Sequence, residues 1–140
     1  MPVPDPDRQS AIGVGDAGAI RRYGTEAVRL YEAARAGEFH MAEDVARLLA
    51  GSCDRLVERV RLARDHAAAL TSARGFPDLP SGHALARGFG AKGREYLDTL
   101  LAFEQAALRH KAAYLAAAAL FEEADAANRA ALIRTVAQSA

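Results

Sequence analysis

Nine residues constrain this chain more than any others: Arg74-Gly75-Phe76-Pro77-Asp78-Leu79-Pro80-Ser81-Gly82. Pro77 and Pro80 have no N–H to give a helix, and each pushes the residue before it out of the α region. A helix cannot run through such a stretch. On both sides lie long segments whose apolar residues recur at steps of three and four, the mark of one helical face. The first is Ile20, Tyr23, Ala27, Tyr31 and Ala34, continued by Met41, Val45, Leu48, Leu56, Val60, Ala67 and Leu70. The second runs from Leu85 and Phe89 through Tyr96, Leu100, Phe103, His110 and Tyr114 to Phe121 and Ala124, with Leu97, Leu101, Leu108 and Leu115 as an adjoining stripe.

These periods predict an all-α chain: a loose arm over 1–15, a helix over about 16–73, a turn over about 74–82 and a helix over about 83–138. Asp16 and Ser81 are the expected N-caps, because a short polar side chain accepts from a free first-turn N–H. Gly75, Phe76, Pro77 and Pro80 make the turn. Gly24, Gly37 and Gly51 each cost about 1 kcal/mol against alanine inside a helix, so the first helix is expected to bend or fray there, Gly37 above all. Composition agrees with helix over sheet: 34 of 140 residues are alanine, while valine, isoleucine and threonine together supply 14. Alanine loses no rotamer freedom in a helix and β-branched residues lose some.

A short turn between two helices forces an antiparallel hairpin. Each arm is expected to be about 80 Å long at 1.5 Å per residue. Such a hairpin has one seam, and alanine buries little across it. The apolar arc of the second helix is wider than one thin helix covers. The hairpin is therefore expected to pair with a second helical hairpin, of its own kind or a related one, into a four-helix bundle. The expected partner face is Leu85, Phe89, Tyr96, Leu100, Phe103 and Tyr114, with Leu48 and Leu56 from the first helix.

Several function classes find little support. The 18 basic and 18 acidic residues cancel, which leaves no electrostatic footprint for nucleic acid or an anionic membrane. The longest apolar run, Ala112 to Phe121, is half the length a membrane span needs (about 20 residues). The N-terminus has no basic region followed by an apolar one, so no cleavable signal peptide is expected. Gly13-x-Gly15-x-x-Gly18 matches a dinucleotide fingerprint, but a proline-rich arm precedes it where a strand is required. His40, His66, His83 and His110 show no Glu-x-x-His spacing, which a di-iron bundle needs twice, so no metal or other cofactor is expected. His110 reads as a seam histidine and Cys53 as a buried helix cysteine. Glu43 with Arg47, Glu58 with Arg61 and Arg61 with Asp65 read as pairs on a solvated helix face. No nucleophile–base pair or phosphate loop points to catalysis.

One stretch stands out against this background: Phe121-Glu122-Glu123-Ala124-Asp125, followed by Asn128. Residues four apart share a helix face, so the Phe121 ring and the Asp125 carboxylate lie one turn apart. An ordinary helix offers plainer readings, Phe121 as a seam residue and Asp125 as an i,i+4 partner of Arg129.

With these residues in place the chain resembles the WXG-like helical-hairpin proteins of actinobacterial type VII (ESX) secretion systems, in the subgroup without tryptophan in the turn. The likeness runs from Ile12 to Leu132. It rests on Ile12-Gly-Val and Ala19-Ile20-Arg-Arg-Tyr23, the turn Gly75-Phe76-Pro77, the run Leu85 to Lys92, and the tail from Phe121. The resemblance implies export as a folded dimer. It also implies an aromatic-x-x-x-acid signal, here Phe121 and Asp125, read by a type VII secretion ATPase. Two residues depart from the family: no Trp-x-Gly stands in the turn, and phenylalanine replaces the signal tyrosine. The function implied is that of a small secretion substrate, or of the helical partner that escorts a larger effector by binding its helical N-terminal region. The alternative is a cytosolic coiled-coil adaptor outside secretion, and a third class, a bundle enzyme or ligand carrier, lacks the residues it needs.

Overall fold

The computed structural model describes residues 17–68 and 75–139. They form four helices: α1 (Ala17–Arg35), α2 (Glu43–Ala68), α3 (Pro80–Ala117) and α4 (Phe121–Ser139). No strand occurs among the described residues. The N-terminal arm, the Asp16 cap and most of the glycine fingerprint lie outside them.

The two long helices expected from the sequence are each interrupted once. The first ends at Arg35, and the chain reverses through residues 36–42. Gly37 sits in the left-handed region at φ 78°, where glycine carries no Cβ penalty. The Gly37 N–H donates to the Ala34 carbonyl and the Glu38 N–H to the Ala33 carbonyl. That crossed pair closes a helix end in the Schellman manner. The second interruption repeats the geometry without a glycine. Ala119 takes φ 60°, its N–H donates to the Ala116 carbonyl, and the Leu120 N–H reaches back to the Leu115 carbonyl. Leu120 then packs on the cluster that holds Leu115. Burial of that leucine offsets the roughly 1–2 kcal/mol that a left-handed alanine costs.

The contacts fix how the helices run. Gly24 of α1 faces Ala106 of α3, and Ala34 lies in one cluster with Leu115 to Ala117, so α1 and α3 run in the same direction. Ala50 of α2 meets Leu115 to Ala117, whereas Val60 and Ala67 meet Leu100, so α2 runs back along α3. Ala124 and then Ala131 of α4 approach Leu115 and then Ala107, so α4 also returns. Each of α1, α2 and α4 packs on α3. The Met41 N–H donates to the Ala117 carbonyl at 2.9 Å and ties the α1–α2 loop to the end of α3.

Alanine makes this arrangement possible. Ala106, Ala107, Ala112, Ala113, Ala116 and Ala117 are all buried on α3, as are Ala27 and Ala34 of α1, Ala46 and Ala50 of α2, and Ala124, Ala127 and Ala131 of α4. Small side chains let helix axes approach at the short end of the usual 8–10 Å range. The wide apolar arc read in the sequence is thus covered, over the second half of α3, by helices of the same chain.

The Pro/Gly turn breaks the helix as expected but caps it differently. Leu79, not Ser81, is the N-cap, in extended conformation, and Pro80 occupies the first turn. Proline suits that position because its missing N–H has no helical acceptor there. The Leu79 N–H donates to the Pro77 carbonyl, and Phe76 stacks on Phe89 with ring centroids 5.4 Å apart. The turn therefore lies back on the start of α3. Gly82 permits this: a Cβ there would collide with the Pro77 carbonyl.

Candidate functional site

Phe121 and Asp125 share one face at the start of α4, and α1 meets them there. The Tyr31 hydroxyl donates to Asp125 Oδ1 at 3.0 Å. The Arg35 guanidinium stands 3.9 Å from the same carboxylate oxygen and 5.0 Å from the centre of the Phe121 ring. Arg35 also lies 5.7 Å from the Tyr31 ring, so one cation serves two aromatic faces and an acid. Burial, and then the bond to Asp125, push the Tyr31 hydroxyl above the ordinary tyrosine value, against a smaller opposing pull from Arg35 and Asn128. The clustering of Phe121, Asp125 and Asn128 is thus real in space. The partner of Asp125, however, is α1 and not Arg129, because the reversal at Gly37 returns Tyr31 and Arg35 to the α3–α4 turn. Phe121 is 40% exposed and is not a seam residue.

Beside this patch, Glu123 accepts from both terminal nitrogens of Arg47, at 3.0 and 3.1 Å, and Arg47 also donates to Glu43 at 3.1 Å. The Arg47 bonds hold the Glu123 carboxyl below its usual range. The Glu43–Arg47 pair read from the sequence is present, and Glu123 extends it to α4. The whole start of α4 is therefore clasped by α1 on one side and α2 on the other, while the Phe121 ring remains accessible.

The residues expected on a partner face divide. Leu85, Phe89, Tyr96 and Leu48 are exposed. Leu100 is 1% exposed and packs on Val60 and Ala67, with Phe103 and Leu56 against the same cluster. Tyr114 is half-buried beside His110, whose ring centroid is 5.9 Å away. Leu100, Phe103 and Leu56 are thus engaged within the chain, because α2 folds onto α3 where a partner was expected.

Two buried polar groups lie deeper. Glu104 is 0% exposed, and its carboxylate oxygens accept from Arg61 Nε and Arg64 at 2.9 Å each. Arg61 therefore turns inward to α3, not along its own helix to Glu58 or Asp65. Sequence reasoning missed Glu104; the available signal was an acid standing in the arc between Leu100 and Leu108. His110 is buried as a seam histidine, stacked on Tyr23 at 3.9 Å, with Nε2 2.8 Å from the Tyr23 carbonyl. A carbonyl only accepts, so Nε2 carries the proton. Burial, then the Cys53 nearby, raise the Tyr23 hydroxyl to about 12. Burial raises the Cys53 thiol to about 11, which leaves it a poor nucleophile at neutral pH.

Among the described residues no group of three or more His, Cys, Asp or Glu is placed to hold a metal ion. None of the described helices is long and apolar enough to cross a membrane. In comparison with known proteins, no family model, no curated protein and no solved structure matches the chain.

Proposed function

We propose that the chain is a small type VII (ESX) secretion substrate, or the helical partner that escorts a larger secreted effector. It works by associating with another helical hairpin into a larger helical bundle, and not by catalysis. The observation that carries this reading is the Phe121–Asp125 pair: an accessible ring and a carboxylate on one helix face, one turn apart, at a helix start held firmly by α1 and α2. A reader such as a secretion ATPase needs a preformed surface, and this patch is one. The exposed Leu85 and Phe89 on α3 supply an apolar face for the partner hairpin.

The test measures secreted against cellular protein in a host with an active type VII system. Asp125→Asn keeps the acceptor for Tyr31 and loses only a long, exposed pair with Arg35, about a few tenths of a kcal/mol. Export falls for Asp125→Asn and holds or improves for Phe121→Tyr. Unchanged export of Asp125→Asn, with the partner held constant, rejects Phe121 and Asp125 as the signal.

A second reading, a cytosolic helical adaptor outside secretion, draws on the same patch. Tyr31 and Arg35 give Asp125 a structural role in joining α1 to α4, which requires no reader. On that reading Asp125→Ala lowers stability and leaves cellular distribution unchanged.

A further inference from the structure

The outer side of α1 and α3 carries a groove of about 560 Å³. Its floor is small and apolar, with Ile20, Gly24 and Val28 from α1 and Ala102 and Ala106 from α3. Its rim is basic: Arg21 and Arg29 from α1 face Arg109 from α3. These three arginines have no acid partner among the described residues, whereas Arg35, Arg47, Arg61 and Arg64 are all paired. Asp98 also lines the groove, so its ionised side chains sum to three positive and one negative, two positive in all. Three arginines without an acid partner among the described residues thus line one trough of a chain with no net charge.

We propose that this groove seats an acidic amphipathic helix of a different chain. The inference rests on the helical-partner reading above and names the chemistry of that partner. Gly24 and the alanines let a helix backbone come close. Arg21 and Arg29 are eight residues apart, about 12 Å along α1 at 1.5 Å per residue, so carboxylates seven or eight residues apart on the incoming helix meet both. Arg109 faces the opposite flank. Arginine suits the rim because its planar fork takes a carboxylate through two bonds. The acids of α4 are poor candidates for the occupant, because Glu123 and Asp125 are held by Arg47, Tyr31 and Arg35 of their own chain. The α4 helix of a second copy is therefore not the occupant.

The test uses the full chain, isotope-labelled, and a synthetic helical peptide with an alanine/leucine face flanked by glutamates seven residues apart. Its controls are the same peptide with glutamine or lysine for glutamate. The acidic peptide is expected to shift the amide resonances of Gly24, Thr25, Thr99 and Ala102 and to bind at least about tenfold more tightly than the glutamine form. Arg21→Gln with Arg29→Gln, both on an exposed helix face, removes that preference while the melting temperature stays put. Arg29→Glu is expected to shift preference toward the lysine peptide. Absence of binding, binding indifferent to charge, or shifts confined to the groove on self-association without peptide each overturn the inference. Shifts centred on Leu85, Phe89 and Tyr96 overturn the groove and leave the helical-partner reading standing.

Discussion

The two halves of α3 are one continuous helix with opposite surroundings. From Glu104 to Ala117 the helix is buried on nearly every side, mostly through alanines, by α1, α2 and α4. From Pro80 to Asp98 it carries the larger side chains, Leu85, Phe89 and Tyr96, and leaves them exposed. Three helices reach one axis where most facing residues are alanine, with Leu108, His110 and Leu115 buried among them. The other half exposes Leu85, Phe89 and Tyr96, and Phe76 of the turn stacks on Phe89. The C-terminal half of α3 is a core built within the chain, and the N-terminal half is an exposed surface.

The sharpest way to break that comparison is to attack the crowded half. Glu104 is wholly buried and doubly paired, so Glu104→Ala leaves the Arg61 and Arg64 guanidiniums facing a void. Arg61 and Arg64 keep 48% and 22% of their side chains exposed, so water replaces part of what Glu104 gave them, and the loss is expected to be about 1–3 kcal/mol. Chemical denaturation is expected to show a loss in that range with little change in the slope of the transition. A loss below about 1 kcal/mol indicates that the pair behaves as a surface bridge.

Overpacking is of similar size. Ala107 is 0% exposed between Val57, Leu108 and Ala131, so Ala107→Leu is expected to cost about 1–3 kcal/mol. Ala91→Leu, on the exposed half of the same helix, is expected to stay within about 0.5 kcal/mol. Equal effects at the two positions erase the distinction between the halves.

How much of this was legible depended on how each feature is encoded. The Pro77/Pro80 break was plain, because proline acts through its own ring. The reversal at Gly37 was half legible: glycine marked the weak point, but a bend or fray was expected where a full helix end occurs. The α3–α4 reversal at Ala119 left no trace, because an alanine in the left-handed region is fixed by Leu120 packing on Leu115 and not by its own preference. That missed break converted one long second helix into two and hid the third layer. The consequence reached the site. Phe121 and Asp125 were identified as neighbours from their spacing alone, but Tyr31 and Arg35, 86 or more residues away in sequence, join them only through both reversals. Glu104 was hidden for a related reason, since Arg61 had acids within reach on its own helix.

The two reversals give the next prediction, smaller than the core effects. They share one hydrogen-bond pattern and differ in the residue at the left-handed position. Gly37→Ala is expected to destabilise by about 1 kcal/mol, and Ala119→Gly to stabilise by up to about the same amount, partly offset by glycine's greater freedom in the unfolded chain. Opposite signs in thermal melts confirm that Ala119 is held against its preference. A destabilising Ala119→Gly indicates that the Cβ contributes packing that outweighs the strain.

The smallest effect on stability is expected on the open half, where it tells most about function. Leu85 is 52% exposed, so Leu85→Ser removes little buried surface, and surface substitutions of this kind fall within about 0.5 kcal/mol. Leu100→Ala, four turns further along the same helix, removes a side chain that is 1% exposed and is expected to cost about 2–5 kcal/mol. The two leucines belong to the same sequence period and were expected on the same partner face, so they separate a core from an interface within one stripe. If the open half serves association, Leu85→Ser leaves the monomer's melt unchanged. Sedimentation then shows weaker association, either of the chain with itself or with its partner. Leu100→Ala does the reverse, lowering the melt while any complex that still forms keeps its affinity per folded molecule. Association unmoved by Leu85→Ser, with the melt also unmoved, removes this end of α3 from the interface.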